Sequence, residues 1–220
     1  PVRGMAVARI NSYTFVACMA LFVDRRGVCF VGEVQGNFAD GLETDIHFGS
    51  EIVMEEDLGV DEVKIIHANQ TELVMCYTTF SVGRCRMAHV VPIGNNDRYT
   101  IEFEAGKFDF NTDGIDSPAV FRVPPNSLTP NQNNPELLGI CYVDENNGVC
   151  KFGVIDFDNN AIVFDEDETE AFGDRGVGKI NAIYLSETTN KLVVCYIKFA
   201  GATPLFNRGL CKYGTVTTDS

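Results

Sequence analysis

The chain has 220 residues, 45% of them apolar, and sets 31 acidic against 17 basic side chains for a net charge of −14. That balance repels nucleic acid and anionic lipid, whose binding needs clustered Lys and Arg. No apolar run approaches the roughly 18 residues of a membrane-spanning helix. The chain opens at Pro1 without an initiator Met or signal sequence, which predicts a processed protein or a segment of a longer one.

A glycine followed by an apolar residue recurs at Gly4, Gly59, Gly114 and Gly176, and divides the chain into repeats 4–58, 59–113, 114–175 and 176–220. Each repeat predicts four strands. Strand A is MAVARI, EVKIIHA, PAVFRV or KINAIYL; strand B carries the first cysteine of the repeat and strand C the second. Strand D is expected at 45–54, 99–110 and 161–172, and the fourth repeat stops before reaching one. β-Branched and aromatic residues crowd these segments, and no stretch has helical periodicity. The Pro/Asn-rich stretch Val123–Glu136 reads as an exposed loop.

Strand B also bears on packing. Leu73-Val74-Met75 and Leu192-Val193-Val194 are continuously apolar, so both faces of the strand should be covered. Repeated four-stranded antiparallel sheets with sandwiched inner strands describe a single β-propeller domain over 1–220, whose last blade is incomplete. Tandem β-sandwiches would need longer repeats and a solenoid shorter ones. Without a strand D, Gly209–Val216 is an open edge for self-association or for another extracellular protein.

Two cysteines per repeat predict a disulfide framework and an oxidising, extracellular setting, because zinc sites favour closer Cys spacing. The expected pairs are Cys18–Cys29, Cys76–Cys85, Cys141–Cys150 and Cys195–Cys211. Each joins strands B and C of one blade, where opposed residues lie about 4.5–5.5 Å apart at Cα. The longest hairpin needs an extended loop around Gly201–Asn207.

The order of strand A, Leu-Val-x-Cys-Tyr, Gly-x-Cys-x-x-Gly-x-Val and Ile-x-Phe-Gly resembles the repeats of secreted microbial propeller-like proteins. The matching residues are Leu192–Tyr196, Gly209–Val216 and Ile46–Gly49. The resemblance implies an extracellular propeller-like fold with adhesive or binding roles. This chain departs from it in its cysteine pairs.

DFNTDGID places Asp109, Asn111 and Asp113 alternately before Gly114, with Asp116 beyond, as in a loop whose oxygens converge on calcium. Val120 stands where an EF-hand has its distal acid, so the loop resembles those of integrin-type propellers; the plainer reading is an Asx-rich turn. Calcium is the one cofactor expected. Asn69-Gln70-Thr71 is an N-glycosylation sequon in an A–B turn.

Near the end of strand A lie Arg9, His67, Arg122 and Tyr184 in turn, a polar set that would fill a propeller channel or hold an anion. His47, His67 and His89 sit in separate strands without a nucleophile motif, so no catalytic residue is assigned. A non-enzymatic structural or adhesive module of a larger extracellular assembly is the expected function, calling for no nucleic acid and no membrane insertion. The alternatives are a carbohydrate-binding propeller with glycan partners, for which Tyr77, Tyr142 and Tyr196 recur but directly after the cysteine on strand B, a place that points to packing, and a glycosidase with paired carboxylates.

Overall fold

The computed structural model describes residues 2–35, 45–56, 59–69, 71–80, 82–94, 98–112, 115–124, 136–165, 169–186, 190–199 and 207–217. Every regular element among them is a strand, and no helix is long and apolar enough to cross a membrane. Contacts group the chain into two compact units, Pro1–Phe80 with Cys85–Lys107, and Ser81–Arg84 with Phe108–Ser220.

The first blade comprises β1 (Val2–Arg9), β2 (Thr14–Leu21), β3 (Gly27–Gln35), β4 (Asp45–Phe48) and β5 (Ile52–Glu55). The second comprises β6 (Glu62–His67), β7 (Glu72–Thr78), β8 (Gly83–Pro92), β9 (Tyr99–Phe103) and β10 (Phe108–Asn111); the grouping assigns β10 and the opening of β8 to the second unit. The third is β11 (Asp116–Val123), β12 (Glu136–Asp144), β13 (Asn147–Asp156), β14 (Ala161–Phe164) and β15 (Glu170–Gly173). The fourth has β16 (Val177–Ser186), β17 (Lys191–Lys198) and β18 (Arg208–Thr215) alone. The protein is therefore all-β and propeller-like, with four antiparallel sheets of which the last is three-stranded.

Strands A to C fall where the sequence puts them. Strand D does not run unbroken: in each of the first three blades it is two short strands, both paired to strand C. At the break in the first blade the amide of Gly49 donates to the Val31 carbonyl at 2.8 Å, and in the second Glu104 donates to Met87 at 3.0 Å. Val31 and Met87 each stand two residues past the second cysteine of their blade. Gly49-Ser50, Ala105-Gly106 and the acidic run from Asp165 are weak strand formers, so the edge yields there. A short, interrupted edge is also a poor template for foreign strands.

All four expected disulfides are present, each within its own blade. Cys18 stands opposite Cys29, Cys141 opposite Cys150 and Cys195 opposite Cys211 in the strand registers. The hairpin of the third blade is the tightest. Asp144 pairs with Asn147, and Glu145 and Asn146 turn between them with φ of 46° and 71°, the conformation of a two-residue primed turn. Gly201 and its neighbours to Phe206, where the longest hairpin needs its loop, lie outside the described residues.

Blade packing follows the period of two. In the first unit the first blade contributes Ala8, Val16, Cys18, Ala20, Cys29 and Val31 to the core, the face that carries its disulfide. The second blade answers with Val63, Leu73, Met75 and Tyr77, one residue out of phase with its own cysteine. The second unit repeats the scheme. Ala119, Phe121, Cys141 and Cys150 of the third blade meet Ile180, Leu192, Val194 and Tyr196 of the fourth. In the first unit small residues on one face thus receive larger ones from the next, whereas in the second the disulfide face itself carries Phe121 and Leu137.

β7 is buried on both faces as expected, and so is β12, but β17, for which the same was expected, is not. Leu192 and Val194 are buried, whereas Val193, Cys195 and Ile197 of the same apolar run remain half-exposed, because only one side of this blade is covered.

Candidate functional site

The registers settle the alignment of the polar set on strand A. Arg9 faces Phe15, His67 faces Leu73, Arg122 faces Leu138 and Tyr184 faces Leu192, each opposite the residue three before the first cysteine of its blade. The four positions are equivalent, but three of the side chains are engaged locally. Arg9 Nε donates to the Asn11 carbonyl at 2.8 Å, Arg122 grips the buried carboxylate of Glu136, and Tyr184 Oη donates to Asn190 Oδ1 at 3.0 Å. His67 Nε2 is buried with no hydrogen-bond partner among the described residues.

Of the calcium-loop residues, Asp109 and Asn111 are described. Both oxygens of Asp109 are taken by the Arg84 guanidinium, and Asn111 hydrogen-bonds with Tyr142. Asp113 and Gly114 lie outside the described residues, and of Asp116 only the backbone, in β11, is described. Among the described residues no three His, Cys, Asp or Glu side chains converge on a point that would hold a metal. Asn69 is exposed in the turn between β6 and β7; its Oδ1 accepts from the Thr71 amide at 3.2 Å and its Nδ2 donates to Glu72.

The recurring tyrosines are packing residues. Tyr77, Tyr142 and Tyr196 are all buried, Tyr142 against Phe110 and Tyr196 against Phe172. Burial pushes the Tyr142 phenol above its ordinary pKa, an effect opposed by the hydrogen bond with Asn111. Tyr77 Oη donates to Glu55 Oε2 at 2.7 Å, and Lys107 Nζ donates to both oxygens of Glu55 at 3.0 and 2.8 Å. A buried carboxylate is thereby neutralised and hydrogen-bonded. Spacing in sequence gives no hint of this triad, which joins three segments.

Two carboxylates do flank one imidazole. His89 Nε2 lies 2.8 Å from Glu104 Oε1 and its Nδ1 lies 3.9 Å from Glu72 Oε1. The histidine bridges Glu72, at the start of β7, to Glu104, just past the end of β9. His47 lines a shallow depression of about 490 Å³ in the first unit with Glu33, Phe48, Arg98 and Tyr99. A second hollow beside it shares Glu33 and Tyr99 and adds Tyr13.

No family model matches the chain, and no curated protein matches it. Among solved structures, 90% of the chain is similar to the crystal structure of Sqt1 from Chaetomium thermophilum, with 14% identity and a TM-score of 0.47. The chain spans 41% of that protein.

Proposed function

We propose that this chain is a non-enzymatic, extracellular structural or adhesive module, a building block of a larger cell-surface or filamentous assembly. The observation that carries the reading is that all eight cysteines are consumed in disulfides internal to single blades. Such bonds persist in oxidising compartments and each contributes roughly 2–4 kcal/mol without any partner. The polar side chains that could do chemistry are instead engaged in local clamps such as Glu55–Lys107 and Arg122–Glu136. Fractionation of the native source tests this. Material outside the cell, in particles of many copies and with four disulfides by mass mapping, is expected; a cytosolic protein with free thiols would sink the reading.

A second reading, carbohydrate binding, draws on the adjoining hollows in the first unit, where Tyr13 and Phe48 are exposed beside Tyr99, Glu33 and Arg98. Aromatic faces bordered by planar polar groups suit a sugar. A glycan array on which Y99A loses a signal given by the parent chain would favour it, and a blank array at high protein concentration would remove it.

A further inference from the structure

Strand C carries a small residue at two fixed places in every blade, and in three blades the space over them is filled. Two residues before the second cysteine stand Gly27, Gly83, Gly148 and Gly209; three residues after it stand Gly32, Ala88, Gly153 and Gly214. A side chain added at Gly27 would strike Met54 of β5, one at Gly83 Phe110 of β10, and one at Gly148 Phe172 of β15. The later position faces Phe48, Phe103 and Phe164 of β4, β9 and β14 in the strand registers. The Phe164 ring lies 2.7 Å from where a Cβ on Gly153 would stand, and Phe15, edge-on to Phe48, closes the space over Gly32. Two residues further along strand C, Val34, Val90 and Ile155 each face an isoleucine: Ile46, Ile101 and Ile162 in turn.

In the fourth blade both places are open. Among the described residues nothing lies within 4 Å of where a Cβ on Gly209 would stand, and over Gly214 the Leu192 Cβ alone approaches, at 3.9 Å. β18 ends its sheet, is exposed along its whole length and runs unbroken for 8 residues. Beside it a hollow of about 660 Å³ is lined by Phe152, Phe172, Leu192, Val194, Gly214 and Val216. In the first unit strand D fills the corresponding wedge between blades: Ile101 of β9 is buried in the core there, with Tyr99 and Phe103 packed against it. Arg208 also stands where the first blade has Arg26, whose guanidinium lies 3.3 Å from Glu51, between β4 and β5.

We propose that β18 receives one antiparallel strand from a different protein, with the chemistry of the strands that fill the other blades: Ile-x-Phe, then an acid, then Phe or Met. Its first Phe seats over Gly214 in the hollow, its isoleucine faces Val216, and its acid answers Arg208. The last apolar side chain covers Gly209, six to eight residues past the first Phe, the spacing of Phe48 to Met54, Phe103 to Phe110 and Phe164 to Phe172. Main-chain hydrogen bonds along the bare edge give affinity, and the alternate side-chain seats give selectivity. The donor is another protein because the chain's own three segments of this kind are already paired within their blades, in every copy. The proposal deepens the structural-module reading and rests on it, since such an edge is a defined joint to a neighbour in an assembly.

The test titrates the purified, oxidised chain with a synthetic peptide of residues 99–111, which carries Ile101, Phe103, Asp109 and Phe110. One peptide per chain is expected to bind and to slow hydrogen exchange at the β18 amides. Phe103→Ala in the peptide should weaken binding roughly tenfold or more, because it empties the seat over Gly214. Gly209→Val and Gly214→Val in the chain should each do the same by filling a seat, with the melting temperature and the four disulfides unchanged. Gly153→Val, in a seat already taken, should lower the melting temperature instead. A peptide that does not bind overturns the proposal and leaves secretion and disulfide mapping untouched. Equal binding by a peptide with Ile101→Thr, Phe103→Thr and Phe110→Thr, or binding that survives both glycine variants, overturns the side-chain selectivity. β18 amides already protected in the free chain, or a parent chain that self-associates through this edge, overturn the foreign donor in favour of the same chain or a second copy.

Discussion

The thioether sulfur of Met75 lies 3.6 Å from Cys18 Sγ and 3.7 Å from Cys29 Sγ, so a methionine of the second blade caps the disulfide of the first. Neither cystine sulfur carries a proton, and the contact is one of packing between polarisable atoms. Met75→Ala should open a cavity beside the disulfide and cost about 2–5 kcal/mol, while Met75→Leu should cost less than about 1.5. Urea titration under non-reducing conditions checks both; equal losses would show that volume does not govern the site.

Removing one member of the Glu55 triad should be costlier than neutralising the acid. Lys107→Met leaves a charge on a carboxylate that is 1% exposed, whereas Glu55→Gln removes that charge and leaves a lysine that reaches water. The first is expected to lose about 2 kcal/mol or more and the second less, read as denaturation midpoints. Greater damage from Glu55→Gln would overturn the order.

Reductant should open Cys195–Cys211 first. Cys18, Cys29, Cys76 and Cys85 are shut off from solvent, and Cys141 and Cys150 nearly so, whereas Cys195 is half-buried and Cys211 exposed. Brief treatment with a phosphine followed by alkylation and peptide mass mapping should place the first two labels on this pair. Labels spread over all four pairs from the start would contradict it.

The raised pKa of the Tyr142 phenol gives an alkaline signature. Because the folded pKa exceeds the unfolded value of about 10, the group's contribution is fully present below that pH and is lost as pH rises through the folded pKa. Melting temperatures between about pH 8 and 11 should fall less steeply in Tyr142→Phe than in the parent chain. Parallel curves would show that this phenol does not ionise on unfolding.

Strands A to C and the four cysteine pairs are legible in the sequence, since alternation sets the faces and a Cys–turn–Cys hairpin admits few partners. The tyrosines after the first cysteine are legible as core for the same reason. What escapes is whatever depends on distant segments. Gly49-Ser50 interrupts the apolar alternation of 45–54 only briefly, and the Val31 carbonyl that accepts the Gly49 amide at the break belongs to another strand. Asp109 has the spacing of a calcium ligand, yet Arg84, twenty-five residues earlier, takes its oxygens. The bare face of β17 is invisible too, because Val193 and Ile197 look no different from residues that a neighbouring sheet covers.

Each disulfide joins a cysteine to the next one along the chain. Eight thiols admit on the order of a hundred pairings, but a nascent chain oxidised as it emerges meets its correct partner before any wrong one exists. Each hairpin can close within its own stretch of polypeptide, with no long loop to bring together and no earlier bond to undo. Oxidation can therefore keep pace with synthesis, blade by blade, so the finished chain should depend little on an isomerase to reshuffle its bonds.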